Sequence, residues 1–345
     1  MKKLFLIIIA NTCLLSCAQK KENNQPTTIN NSKNMYDINQ YIFPEAKDIT
    51  ETNFVTKVSS QIKHYDKEPI YYVRINKQNC LIEVYINDVF NNSDYELSNV
   101  ITPIGIYPVL KSGSQKVTVK MYPVGDLINK DLGLENQLPA TKLSDKAKVD
   151  ISVVMMDNKS KKSFDDEKII TTQVSPKEAA GKEFYEFSFT FNAEVPYEFE
   201  GWTKGQDLRK LDQDLVRKKA LEFYKMIGQI HVNNDINAEL KLVYPSTTRI
   251  QQVLYKDNNI KNILEEYRGY VIDNYKQLPI TKYKMDYMGD GKLLCLITDS
   301  LDPKLRGGGA LMLEYGEDKS IYQPGITLYL PEGRDLATQG FMMWK

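Results

Sequence analysis

Two histidines, His64 and His231, and four cysteines, Cys13, Cys17, Cys80 and Cys295, are all that this chain offers for imidazole or thiol chemistry. A serine or cysteine triad would need one of the two imidazoles as its base. His64 stands in a polar stretch beside Lys63 and Asp66, His231 follows the end of a helical pattern, and both read as surface residues. No Gly-x-Ser-x-Gly elbow is present, and no Cys/His spacing suits zinc. Asp286, Asp290, Asp299 and Asp302 lack the alternation of oxygen ligands and the closing Glu of a calcium loop, so they read as turn formers. Arg306-Gly307-Gly308-Gly309 resembles an anion cradle only in its glycines. Ala310-Leu311-Met312-Leu313 after it reads as a strand, and no Lys-Ser/Thr pair opens a helix there. Asp165-Asp166-Glu167 opposite Lys159, Lys161 and Lys162 reads as a solvated hairpin. No metal or other cofactor is expected. What chemistry remains is that of tyrosine, with 22 residues. Tyrosines and Trp202 combine rigid apolar area with a polar tip, which suits stacking on sugars or anchoring a protein. The run Pro196-Tyr197-Glu198-Phe199-Glu200-Gly201-Trp202 puts Tyr197 and Trp202 forward as candidate recognition aromatics or as packing between two domains.

The first residues address the chain. Lys2 and Lys3 precede an apolar run, Leu4 to Leu15, broken only by Asn11 and Thr12. Twelve helical residues span roughly 18 Å, short of the ~30 Å hydrocarbon core, so this is a targeting segment rather than a span. Its end, Leu14-Leu15-Ser16-Cys17, resembles the lipobox of bacterial lipoprotein precursors. The resemblance implies cleavage after Ser16, a diacylglyceryl group on Cys17 and further acylation of the new amino terminus. Two or three acyl chains give firm anchoring. Ala18 supplies no aspartate-type retention signal, which favours the outer membrane. Residues 17–35, rich in Gln, Lys, Asn and Thr, cannot repay their ordering entropy and read as a tether reaching roughly 20–25 Å.

From residue 36 to 202 the apolar period is two. Tyr71, Val73 and Ile75 alternate, then Ile82, Val84 and Ile86 ahead of an Asn87-Asp88 turn, then Val117, Val119 and Met121 after Gly113. Val149, Ile151 and Val153 follow, and Tyr185, Phe187, Phe189 and Phe191 line one face of a last strand. About seven such segments argue an antiparallel β-sandwich, immunoglobulin-like or jelly-roll-like. Val84 to Asp88 followed by Lys111 to Val119 resembles the accessory β-sandwich modules of extracellular and sugar-active proteins.

From 203 to 345 the period changes. Leu208, Leu211, Leu215, Val216, Phe223, Ile227 and Ile230 predict a helix capped by Thr203 or Asp207. Ala238 to Tyr244 suits either strand or helix, Pro245-Ser246 opens a short helix through Leu254, and Ile260 to Tyr275 marks another. Strands return at Lys282–Met288, Lys292–Thr298, Ala310–Tyr315 and Ile326–Leu330, with turns at Gly289-Asp290-Gly291 and Gly316-Glu317-Asp318. This order predicts an α+β domain whose sheet curls around a helix, similar to the cystatin-like or nuclear-transport-factor-like class.

The 45 basic and 45 acidic residues balance, so no nucleic-acid partner is expected. Cys80 and Cys295 lie in apolar strand-like runs and read as free core thiols, with a disulfide between them as the alternative. The functional expectation is a lipid-anchored envelope protein that binds a partner protein, such as an envelope complex or a toxin it neutralises. The alternative is an envelope hydrolase or small-ligand binder with a deep pocket in the C-terminal domain, where two ionisable groups would converge, His231 or one of Asp286 and Asp299 among them.

Overall fold

The computed structural model describes residues 37–345, apart from 98, 100–102, 108, 110, 134–137, 161–162, 272–273, 301 and 303–304. The lipid attachment at Cys17, the leader and the tether lie outside the described residues, as do Lys161 and Lys162.

The alternating segments form strands, all paired antiparallel. They are β1 (Pro69–Gln78), β2 (Leu81–Ile86), β3 (Val89–Asp94), β4 (Ile104–Gly105), β5 (Gly113–Tyr122), β6 (Lys148–Asp157), β7 (Lys168–Val174) and β8 (Tyr185–Ala193). One sheet runs β4-β1-β6-β7 and the other β3-β2-β5-β8. The chain changes sheets at Asn79, whose φ of 51° turns it sharply between β1 and β2. Period-two alternation sends Val73, Ile75, Val149, Ile151 and Val153 from one sheet, and Val84, Ile86, Val117, Val119 and Met121 from the other, into one shared core. Asn87 and Asp88, both at positive φ, make the expected two-residue turn. A short helix, α1 (Phe54–Ser59), precedes β1, and another, α2 (Leu127–Leu132), follows β5.

The stretch ahead of β1 departs from the period-two expectation. Residues 38–59 form 3₁₀ turns and α1, and Ile42, Ala46, Ile49, Phe54 and Val58 are buried among the later helices rather than between the sheets. The segment is too short and too interrupted for its helical period to stand out against the alternation that follows.

The later helices are α3 (Gln213–Val232), α4 (Ile236–Leu254), α5 (Ile260–Tyr270) and the short α6 (Leu336–Gln339). Asp207 caps only a 3₁₀ turn; the cap of α3 is Asp212, whose carboxylate accepts from the Asp214 and Leu215 N–H groups. α4 is continuous through Pro245, where the sequence suggested a break. An interior proline costs about 3 kcal/mol. Burial of Leu240, Leu242, Val243, Tyr244 and Val253 along the same helix outweighs that cost. The hydroxyls of Ser246 and Thr248 donate to the Val243 and Tyr244 carbonyls, giving acceptors in the disturbed turn additional donors.

The C-terminal strands form two small sheets. β10 (Tyr283–Met288), β11 (Leu293–Thr298), β14 (Leu328–Tyr329) and β15 (Met342–Met343) make one, ordered β10-β11-β14-β15. β9 (Lys276–Gln277), β12 (Leu313–Tyr315) and β13 (Ser320–Tyr322) make the other, ordered β13-β12-β9. The expected single curled sheet is therefore split. Strands of two or three residues leave too little alternation to be read from sequence. The space between helices and sheets is filled: Phe223, Tyr224, Leu294, Leu296, Leu311, Leu328 and Phe341 are at most 1 % exposed. Tyr224 lies at its centre, donating to the Ile326 carbonyl at 2.9 Å and accepting from the Leu296 N–H at 2.7 Å.

The β2–β3 turn meets the β10–β11 turn. Gly289 N–H donates to the Asp88 carbonyl at 3.0 Å and Asp290 N–H to the Asp88 carboxylate at 2.9 Å. Beneath them lies Trp202, edge-on to Trp344 at 5.9 Å. Gly289 is needed on two counts: its φ is 58°, and a Cβ there would come within 2.6 Å of the Trp202 indole nitrogen.

Candidate functional site

β2 alternates with Ile82, Val84 and Ile86 inward, which turns Leu81, Glu83 and Tyr85 to the opposite face. Antiparallel register sets Glu83 opposite Lys120 and Leu81 opposite Tyr122 on β5, and Tyr95 follows β3. These placements bring three phenols onto one carboxylate. Tyr85 and Tyr122 donate to Glu83 Oε2 at 2.9 and 3.0 Å, and Tyr95 donates to Oε1 at 2.5 Å. Burial, reinforced by the Glu83 charge and hydrogen bonds, raises the pKa of all three tyrosines well above the usual phenol range.

Two cations cover these rings. Lys120 Nζ is 4.2 Å from the Tyr85 ring centre. The Arg306 guanidinium, from the loop after β11, lies 4.5 Å above Tyr95 and 5.4 Å from Tyr122. Gly307 permits that approach, since it sits at φ 72° and a Cβ would already be 3.2 Å from the Tyr95 ring. Asp286 is near enough to Lys120 and Glu83 to feel both charges; burial raises its carboxyl, and Lys120 and Lys284 oppose the rise. At either end the strip continues into exposed phenylalanines. Tyr85 meets Phe90 at 5.7 Å, with Phe90 39 % exposed, and Tyr122 meets Phe184 at 5.3 Å, with Phe184 45 % exposed.

Beside the strip is a cavity of about 380 Å³ lined by Gln78, Asn79, Cys80, Leu97, Asn99, Val124 and Ile128. Leu97, Val124 and Ile128 pack in one apolar cluster with Tyr95 and Tyr122, so strip and cavity share a wall. Burial pushes the Cys80 thiol up to about 11, which leaves it protonated and unreactive near neutral pH.

The residues singled out from sequence are dispersed. Tyr197 is 6 % exposed, stacked on Phe199 at 5.0 Å and tilted against Tyr255 at 6.1 Å; Trp202 is 5 % exposed at the turn junction. Both rings are spent on packing between the sheets and the C-terminal part rather than offered to solvent. Neither histidine is the plain surface residue expected. His231 lies inside the last turn of α3, fully buried, with Nδ1 3.1 Å from the Tyr270 carbonyl, Nε2 3.7 Å from Glu239, and Tyr275 and Tyr322 edge-on. Burial raises the Glu239 carboxyl, and the His231 charge opposes it. Asp286 pairs with Cys295 in the β10–β11 register and Asp299 bonds the Lys282 carbonyl, so neither converges on His231. His64 is half-exposed but held by Glu68 and Asp257.

The Arg306 loop does not form an anion cradle. Its Leu305 and Arg306 N–H groups donate to the Asp302 carbonyl and its Gly308 N–H to the Leu305 carbonyl. Glu167 pairs with Arg74 at 2.6 Å, and Cys80 and Cys295 are free thiols. Among the described residues, no group of three or more His, Cys, Asp and Glu side chains is arranged to hold a metal, and no helix is long and apolar enough to cross a membrane.

Sequence reasoning noticed the tyrosine excess but missed the Glu83 cluster. The alternation of Glu83 with Ile82 and Val84 was a usable signal; Tyr95, Tyr122 and Arg306 required the strand register. Compared with protein-family models, curated proteins and solved structures, the chain matches none of them.

Proposed function

We propose that this protein is a lipid-anchored component of a bacterial envelope, held in the outer membrane through Cys17, and that it acts by binding a partner protein. The lipobox resemblance supports the anchor. The observation that carries the binding reading is the strip in which exposed Phe90 and Phe184 flank half-buried Tyr95, Tyr122 and Arg306, all resting on buried Tyr85 and the Glu83 carboxylate that fixes the three phenols. Tyrosine and arginine are enriched at the energetic centres of protein interfaces: tyrosine brings large rigid area with little rotamer entropy to lose, and arginine a planar fork of donors. Here the phenols and the guanidinium are already ordered, which lowers the entropic cost of binding. In this reading the facing sheets are an accessory sandwich of the immunoglobulin-like or jelly-roll-like kind. The C-terminal part, helices packed on two small antiparallel sheets, is a support that contributes Arg306.

The test places a photo-crosslinking side chain at Phe90, at Phe184 and, as a control, at exposed Lys177 in cells of the native host. The reading requires one and the same envelope protein to be captured from the two phenylalanine positions and not from Lys177. It also requires Cys17→Ser to abolish labelling by a fatty-acid analogue. Equal capture from all three positions, or lipid labelling of the Cys17→Ser variant, would contradict it.

A second reading, of a small-ligand binder, is favoured by the cavity beside Cys80. Its 380 Å³ lies within the range of small-molecule sites, and Gln78, Asn79 and Asn99 give amide groups over an apolar floor. Binding of a small solute that is lost on filling the cavity with Val124→Trp, with the crosslinking pattern unchanged, would favour this reading.

A further inference from the structure

Residues 60–68 link α1, which packs on α4 and α5, to the first strand of the sheets. This linker crosses the C-terminal end of α4 and is tied there by a reciprocal amide pair. Lys63 N–H donates to Gln252 Oε1 at 2.7 Å, and Gln252 Nε2 donates to the Lys63 carbonyl at 2.9 Å. His64 follows directly. Its Nδ1 is 2.8 Å from Glu68 Oε1, and its Nε2 is 3.4 Å from Asp257 Oδ2.

The two carboxylates belong to different parts of the molecule. Glu68 is almost fully buried and fastened to the end of β6: its N–H donates to Asp157, and Asn158 donates to it through both backbone and side chain. Asp257 follows α4, and its carbonyl accepts from the Ser59 hydroxyl of α1. The imidazole therefore spans from the sheets to the helices.

We infer that His64 is a pH-operated latch: its protonated ring cross-links Glu68 on the sheet side to Asp257 on the helix side, and loss of one proton to solvent opens the link. The chemistry follows from proton count. An imidazolium donates from both nitrogens, whereas a neutral ring donates from one, so one carboxylate must lose its donor. The charges that act on His64 are those of Glu68 and Asp257. Lys63, Tyr65, Asp66 and Lys67 are its neighbours on the linker, Tyr255 and Lys256 stand at the helix end, Asp157 at the strand end, and Tyr71 and Tyr197 act on Tyr255 beside Glu68.

The direction of the switch is set by these partners. The hydrogen bond that His64 donates to Glu68, opposed by burial and reinforced by Asp257, holds the His64 pKa above its ordinary 6.5. Burial pushes Glu68 up, but hydrogen bonds from Asn158, His64 and the Tyr65 N–H outweigh it and leave Glu68 below its ordinary range. The raised histidine contributes fully below 6.5 and its contribution is lost as pH rises through the raised value. The depressed carboxylate contributes above its ordinary value and its contribution is lost as pH falls through the lowered one. The latch is closed in the mildly acidic window between them and opens on the alkaline side.

Proton NMR of the full chain tests this, since His231 is its only other imidazole. The His64 midpoint is expected above 6.5 and should move down in Asp257→Asn. Hydrogen exchange of the Lys63 amide, corrected for the intrinsic pH dependence, reads the linker itself. Its protection should fall as pH rises from 6.5 through the raised His64 midpoint, by about tenfold for each unit by which the midpoint exceeds 6.5. His64→Gln should remove that fall. A midpoint at or below 6.5, constant protection in the unmodified chain, or the same fall in His64→Gln would overturn the latch. None of these readouts involves a partner, so the outcome stands apart from the binding reading.

Discussion

Arg306 and Tyr95 are far apart in the chain, yet the guanidinium carbon lies 4.5 Å from the centre of the phenol ring, whose hydroxyl is fixed at 2.5 Å on Glu83. A cation on the ring face and an anion at its hydroxyl hold Tyr95 from both sides. The contact also crosses between the sheets and the loop after β11, so the strip depends on how the two parts of the molecule are docked.

Glu83 is the acceptor on which the strip is built. Replacement by Gln exchanges one of the two acceptor oxygens for an NH₂ group, which cannot accept from Tyr85 and Tyr122. Glu83→Gln should cost about 1–3 kcal/mol in urea unfolding with an unchanged denaturant slope. The pH dependence follows from the raised phenols. Neutral Tyr85, Tyr95 and Tyr122 support the fold below the ordinary phenol value of 10, and that support is lost as pH rises above it. In an ultraviolet tyrosinate titration, these phenols should ionise only with alkaline unfolding. Ionisation at ordinary values in the folded protein would contradict the cluster.

Tyr224→Phe removes a hydroxyl and nothing else. It leaves the buried Leu296 N–H without the 2.7 Å acceptor it has now, and frees the Ile326 carbonyl. A loss of about 1–3 kcal/mol is expected from this orphaning, measured by chemical denaturation. A change within about 0.5 kcal/mol would show that the centre of the C-terminal core relaxes around the substitution.

Much of this architecture was legible before any coordinates. The long strands carried five or more alternating residues each, and Asn87-Asp88 could hardly be anything but a turn, since both residues tolerate positive φ. The helix from Gln213 to Val232 was equally plain in its three-to-four spacing. What was lost has a common cause. Pro245 looked like a boundary because local propensity cannot see the burial that keeps α4 whole, and β9, β13 and β15 are too short to show a period. The strip was hidden for a different reason. Glu83, Tyr95, Tyr122 and Arg306 share no local pattern, and only the register of β2 against β5 and the return of the loop after β11 bring them together.

The two thiols should be inert in the folded chain. Burial pushes Cys80 up to about 11 and Cys295 up to about 12, so the thiolate is scarce at pH 8. With Cys13 and Cys17 replaced by Ser, a disulfide-exchange reagent should react with fewer than one thiol per chain within minutes in buffer. In urea it should react with two. Two fast equivalents in buffer would contradict the raised thiol values, and none in urea would indicate a bridge.

The strip itself is tested most directly by the affinity of the full chain for the protein captured at Phe90 and Phe184, compared between the unmodified chain and Arg306→Ala. Arg306 closes the strip over Tyr95 and Tyr122 without belonging to the core between the sheets, and an unfolding curve run beside the binding assay separates a lost contact from a loosened junction. A residue at the energetic centre of an interface costs at least about 2 kcal/mol when truncated, about a thirtyfold rise in Kd. A rise of that size, with unfolding unchanged, is the expected result. An affinity within twofold of the unmodified chain would place the binding surface elsewhere on the molecule.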